Sequence, residues 1–260
     1  MNNVSDWGSR FYQASRSNSI QDRPSSTWPK LSFDDAYRIQ AAHMEHRKQD
    51  GETVAALKLG LTQLVDQEKW GVTAPTYGTL TDRMLLQEGD ALSVSRGHAP
   101  RVEAEIVCVL NRSVTKPLRT LEDTMAVVAS VHAGIEIVDS RFAAGSSSAA
   151  DSIADNQSAF SGMWSRRGHL LQSNSLAEET CDFFVSGELV ASGNGAKILG
   201  NPLTALKDAI NEALAHDLEI LSGLAVFTGN LLGSAINVSP GDHVVARFSS
   251  LGEVSLEVVG

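Results

Sequence analysis

RVEAEIVCVL, residues 101–110, reads as a β-strand whose two faces differ in character. Side chains alternate across a strand, so Val102, Ala104, Ile106, Cys108 and Leu110 form one apolar face suited to a core. Arg101, Glu103 and Glu105 share the other face. Carboxylates at i and i+2 project the same way about 7 Å apart, and water or a bound cation must relieve their repulsion. A polar face turned to solvent on an antiparallel sheet is the competing explanation, and for this motif alone the simpler one.

A second segment changes that balance. Residues 134–142, GIEIVDSRF, form another short β-like run, with Glu136 set between Ile135 and Ile137. A carboxylate flanked by isoleucines in a buried strand requires a partner, because an unpaired buried charge is costly. Three glutamates converging from two strands would make an oxygen-only site, which suits Mg²⁺ or Mn²⁺ and not Zn²⁺.

The rest of the composition is that of an ordinary globular protein. The chain has 260 residues, of which 42% are hydrophobic and 20% charged, enough for one large domain or two unequal ones. Its net charge of −10 argues against nucleic acid or an anionic membrane surface as partner. The two cysteines, Cys108 and Cys181, read as buried hydrophobes and offer neither a disulfide framework nor a thiolate metal site. The first thirty residues contain no signal-peptide core, and no stretch is apolar for long enough to span a membrane, which makes the cytoplasm the expected compartment.

Along the chain, residues 1–30 read as a helix-poor lead ending in a turn-rich segment. Ser32 with Asp35 caps a helix that Gly51 stops. His43 and His46 on it are spaced as a zinc half-site without a second pair, so they read as surface histidines, as do His98, His132, His169, His216 and His243. Lys58 interrupts the apolar run 54–62. Either it snorkels from a sheet edge, or it is enclosed beside the carboxylates with a lowered pKa, fit for proton transfer. A short helix over 64–70 precedes a turn at 75–78, with Asp82 just beyond. Thr120 and Asp123 form a capping box for a helix whose face runs through Leu121, Met125, Val128 and His132. Residues 143–152 read as a loop, either a lid or a plain connector, and 154–158 as a polar turn. Strands are expected at 182–185, 188–191, 224–228, 243–248 and 254–259, with a helix over 204–221.

Taken together, KLGLT at 58–62, PTYGTLTDRM at 75–84, PRVEAEI at 100–106, IEIVDSR at 135–141, ADNQS at 154–158, ILGNPL at 198–203 and SPGDHVVARFSSLGEVS at 239–255 carry a resemblance. From about residue 30 onward the chain resembles the 2-keto-4-pentenoate hydratases and 4-oxalocrotonate decarboxylases, a branch of the fumarylacetoacetate hydrolase superfamily. The resemblance implies an α+β fold: a mixed β-sandwich roll over 86–260 beside a smaller N-terminal α/β part over 1–85. It places the Mg²⁺ or Mn²⁺ ligands on Glu103, Glu105 and Glu136, the active-site lysine on Lys58 and its companion aspartate on Asp82. Substrate contacts fall on Leu59, Tyr77, Asp155 and Ser158. It further implies a homo-oligomer, or a complex with a homologous subunit. Two departures stand out: the usual ADNAS is ADNQS here, with Gln157 for a small residue, and GHP is Gly200-Asn201-Pro202.

The implied activity is a lyase that hydrates a 2-hydroxy-2,4-dienoate, with decarboxylation of a 2-oxo-3-enedioate as the alternative. Both would use the same ligands and differ at the far end of the pocket, where Arg83 and Arg141 are candidates to receive a second carboxylate. Tyr77 and residues 193–200 lean towards the decarboxylases. A C–C bond hydrolase, which would need a histidine base near the ion, and a non-catalytic scaffold subunit complete the set.

Overall fold

The computed structural model describes residues 3–143, 145–172 and 176–260, so Ala144 of the expected 143–152 loop and the first two residues of the lead lie outside the described residues. In chain order the elements begin α1 (Val4–Ser17), α2 (Pro24–Thr27), α3 (Phe33–Gln49), β1 (Val54–Gly60), α4 (Leu64–Trp70), β2 (Thr76–Thr81), β3 (Ala91–Ser93) and β4 (Arg101–Leu110). They continue α5 (Leu121–Met125), β5 (Val128–Val138), α6 (Ala149–Ala154), β6 (Ala159–Trp164), β7 (Thr180–Val185) and β8 (Glu188–Asn194). The chain closes with α7 (Pro202–Ala215), β9 (Ala225–Asn230), β10 (Ile236–Asn237), β11 (His243–Phe248) and β12 (Gly252–Val259). Among the described residues no helix is long and apolar enough to cross a membrane.

Two sheets divide these strands. One runs β2-β1-β9-β4-β5-β6, with β10 on β4; the other runs β3-β12-β11-β7-β8. The first sheet curls until its end strands β2 and β6 pack together, which gives it an inside and an outside. Outside, Val102, Ala104, Ile106, Cys108 and Leu110 of β4 join the principal core. Inside, Ala56, Leu80, Val107, Ala225 and Phe227 form a second, smaller core that plugs the curl. β1 and β2, from the part of the chain before residue 85, are thus strands of the same sheet as the glutamates.

Several expectations are corrected. The lead is a helix: Asn3 caps it by accepting from Ser5 N and Asp6 N, and Trp7, Phe11 and Ala14 are buried at helical spacing. Its polar composition obscures that stripe. Gly8 permits close docking on α3, since a Cβ there would lie 2.5 Å from Ala42 Cβ. The turn read at 75–78 is the start of β2, where the threonines favour a strand over the Pro and Gly signals. The helix after Thr120 keeps its capping box but ends at Met125, because the β-branched run from Val127 joins β5. The end of the 143–152 loop is helical, with Ser148 accepting from Asp151 N, and α7 covers 202–215 and not 204–221.

His43 and His132 are buried, not on the surface. His43 Nε2 accepts from Arg47 Nε at 3.4 Å, while Arg47 also pairs with Glu52 at 2.9 Å. Burial first, then Arg141 and Arg47, holds its pKa well below the usual histidine value. The unfolded chain therefore takes up a proton below about pH 6.5 that the folded chain refuses.

Two outcomes follow. Relative to His43→Gln, the wild type should lose stability as pH drops below about 6.5, by at most about 1.4 kcal/mol per pH unit, read as the difference between their urea midpoints across pH. Phe11→Ala should cost about 3–5 kcal/mol, read as a lower denaturation midpoint at unchanged slope; a loss below 1 kcal/mol would mean that α1 does not contribute to the core.

Candidate metal centre

The acids meet because β4 and β5 are antiparallel and in register. Glu103 pairs with Glu136 directly, and Glu105 lies opposite Gly134, which has no side chain to fill the gap. All three acids face the inside of the curl, each offering an oxygen within 4.8 Å of the others. Glu105 and Glu136 are fully buried and Glu103 is half-buried.

Lys58 enters from β1 on the same inner face. Its Nζ lies 2.7 Å from Glu136 Oε1 and donates to the carbonyl of Gln157 at 2.7 Å. Gly229 N donates to Glu105 Oε2 at 2.7 Å, and Asn230 hydrogen-bonds Glu103. Among the described residues Glu105 Oε1 and Glu136 Oε2 have no hydrogen-bond partner although both are buried. Such orphans are uncommon, and each calls for an explanation such as an ion.

The charges do not balance within the protein. Burial, reinforced by Glu136, pushes the Glu103 carboxyl up to about 7, and burial with the same neighbours raises Glu105 well above the carboxylate range. Burial alone would lower the Lys58 pKa, but Glu136, Glu103 and Glu105 outweigh it and the net direction is upward. The sequence-based expectation of a lowered lysine pKa is therefore reversed in the bare site. Fully ionised, the three acids and one ammonium would carry two negative charges, the complement of one divalent cation. An all-oxygen donor set with unsatisfied atoms fits Mg²⁺ or Mn²⁺.

Above the acids opens a cavity of about 220 Å³, reached by Lys58, Glu103, Gln157, Ser158, Arg101 and Asn230. Ser158 and Leu59 line it, although the Leu59 side chain belongs to the principal core. A larger cavity of about 590 Å³, between α1 and β6, contains none of the acids.

Other expected site residues lie elsewhere. Asp82 is exposed beyond the far end of the β1–β2 pair, where its Oδ1 accepts from Thr53 N and Arg83 N, each at 3.0 Å. It is not brought to Lys58; the Gln157 carbonyl is the companion found there. Tyr77 pairs with Leu59 on the opposite face from Lys58 and stacks on Tyr37 with centroids 4.6 Å apart. Asp155 is buried in an ion pair with Arg141 and braces the turn beneath Ser158. That pair also removes Arg141 as a free cation, and Arg83 lies out by Asp50. Among the described residues no histidine lines the cavity of the acids, which counts against a histidine-based hydrolase.

Sequence reasoning missed Gln157, Asn230 and Arg101. Gln157 had a signal in its departure from the small residue of ADNAS. Asn156, Gln157 and Ser158 all take φ near +55°, at +53°, +53° and +55°, a run that no local pattern announces.

The family model for the fumarylacetoacetate (FAA) hydrolase C-terminal region matches residues 42–259. The chain belongs to the fumarylacetoacetate hydrolase family. Within it, the chain is 30% identical to a 4-oxalocrotonate decarboxylase of Pseudomonas putida over 89% of this chain and 88% of that one. It is 32% identical to a 2-keto-4-pentenoate hydratase of Paraburkholderia xenovorans (strain LB400) over 95% and 91%. The fold matches a solved 4-oxalocrotonate decarboxylase from Pseudomonas putida G7, complexed with magnesium and adipate, with a TM-score of 0.93, 27% identity and coverage of 98% and 97%. This member thus has the fumarylacetoacetate hydrolase fold of mixed sheets with flanking helices, and its relatives are hydratases and decarboxylases.

Proposed function

We propose that this family member is a divalent-cation-dependent lyase that adds water to a 2-hydroxy-2,4-dienoate, yielding a 4-hydroxy-2-oxo acid. The convergence of three glutamates with orphaned oxygens beside a buried lysine carries the reading. Glu103, Glu105 and Glu136 would hold Mg²⁺ or Mn²⁺. The ion would neutralise the acids, orient the substrate through its carboxylate and 2-oxygen, and stabilise enolate charge.

The protein's own groups supply the remainder. Lys58 is held as an ammonium by its carboxylate neighbours and aimed by the Gln157 carbonyl, so it is placed to deliver a proton to C5 as the 2-hydroxyl gives up its own. That shift makes the conjugated ketone. Water then adds its oxygen to C4 and a proton to C3, so that the atoms of one water enter the product. Val107 and Phe227, fully buried beneath the acids, keep bulk water from the floor of the site. Ser158 stands at the wall to orient the chain of the substrate.

The alternative reading is loss of CO₂ from a 2-oxo-3-enedioate, supported by likeness to the 4-oxalocrotonate decarboxylases in sequence and fold. The two reactions share the acids and Lys58. A homo-oligomer is the assembly we expect, which sedimentation would read directly.

Mg²⁺ should raise the melting temperature of the wild-type protein, and Glu105→Gln should abolish that rise while increasing the stability of the ion-free form at neutral pH, because it removes an acid that ionises more readily in the unfolded chain than in the folded one. A variant that still responded to Mg²⁺ would remove the proposed centre. With Mg²⁺ present, 2-hydroxypenta-2,4-dienoate and 2-oxo-3-hexenedioate should be offered separately. Loss of dienol absorbance without CO₂ supports hydration; CO₂ release selects decarboxylation; Lys58→Met should lower turnover by at least about 100-fold.

A further inference from the structure

The mouth of the cavity is asymmetric. On the β1–β2 side it is closed by Gln157, which lies over Gly60 so tightly that a Cβ on Gly60 would meet Gln157 Oε1 at 2.4 Å. Ser152 Oγ fixes that oxygen by donating to it at 3.0 Å. Thr76, the register partner of Gly60, backs the same wall. Among the described residues Gln157 Nε2 and Thr76 Oγ1 are buried without hydrogen-bond partners, so this wall is polar but offers no charge to a second carboxylate.

On the β4 side stands Arg101, on the same strand face as Glu103 and two residues before it. Two residues along a strand span about 7 Å, comparable with an extended six-carbon acid whose head lies at the glutamates. Arg101 is exposed, and among the described residues its guanidinium makes no hydrogen bond or ion pair. The other ionised group at the rim is Asp66 of α4, half-buried; Lys58 and Glu103 are engaged at the acids.

We propose that Arg101 is a specificity-determining residue that receives a second carboxylate at the far end of the substrate, so that this protein acts on a dioate. The planar fork of arginine matches a carboxylate in bidentate geometry. Such a pair recognises the second carboxylate of the bound acid whether that group is then retained or lost as CO₂, so it decides which acid is held and not which reaction follows. The inference rests on the metal-site reading above, which places the 2-oxo acid head at Glu103, Glu105 and Glu136.

The test is calorimetric titration of the Mg²⁺-loaded protein with 2-oxohexanedioate and 2-oxohexanoate, which share head and length and differ only in the distal carboxylate. The dioate should bind about tenfold more tightly, and the preference should shrink as salt is raised. Arg101→Gln should bring the dioate to the affinity of the monoacid and leave the monoacid unchanged; Arg101→Lys should fall between. Equal affinities in the wild type, or a preference that survives Arg101→Gln, would overturn the assignment of Arg101 alone. Binding of Mg²⁺ with binding of neither acid would instead overturn the head-group reading beneath it.

Discussion

Three carboxylates inside a curled sheet, opposed by one ammonium, are the constraint on which the rest of the molecule turns. Buried like charges repel strongly where water cannot screen them, so the fold must hold the acids together against a standing electrostatic cost. It does so by making them part of β4 and β5, whose outward apolar side chains are locked into the principal core. The price of moving one glutamate out would be a register slip that turns the whole apolar face of β4 inward. Repulsion at the site and burial on the opposite face are thus coupled through a single backbone.

The turn over 155–158 is the second part of the same device. Three consecutive non-glycine residues in the left-handed region cost about 1–3 kcal/mol each, and they persist because every side of the turn is braced. Asp155 is paired with Arg141. Asn156 accepts from Thr79 N and donates to Thr79 O, each at 2.8 Å. A Cβ at Gly78 would lie 2.5 Å from Asn156 O, so glycine lets the turn sit directly on β2. The result is a carbonyl, that of Gln157, delivered to Lys58 where a side chain would have been less constrained.

How much of this was legible in the sequence depended on whether the signal was periodic. The alternation of β4 gave its buried face and two of the acids, and the isoleucines around Glu136 marked the third. The capping boxes at Ser32 and Thr120 located two helix starts correctly. Asp82 was misplaced because four residues along β2 from Gly78 carry a side chain past the end of the pair with β1, a distance that motif order does not measure. Tyr77 was misassigned for a similar reason: strand parity puts it opposite Lys58. The partners that are backbone groups, the Gln157 carbonyl and Gly229 N, have no side-chain signature at all, and α1 was hidden because three buried residues among polar ones resemble a disordered lead.

That division also explains why the centre and the substrate are not equally determined by the chain. A centre of this kind needs only charge and proximity, and three acids in register supply both for any reaction that accumulates enolate charge. The substrate is selected by the rim, where exposed side chains are free to vary without disturbing the core. Gln157 cannot vary so freely, because its side chain packs on Gly60 and its backbone aims Lys58, so a change of wall there reaches the proton donor as well. Arg101 has no such packing duty on its side-chain atoms: among the described residues its guanidinium makes no hydrogen bond or ion pair, and its hold on the acids is only its charge, which draws the Glu103 pKa down. Variation in substrate within a common chemistry is therefore most readily accommodated at the β4 side of the mouth.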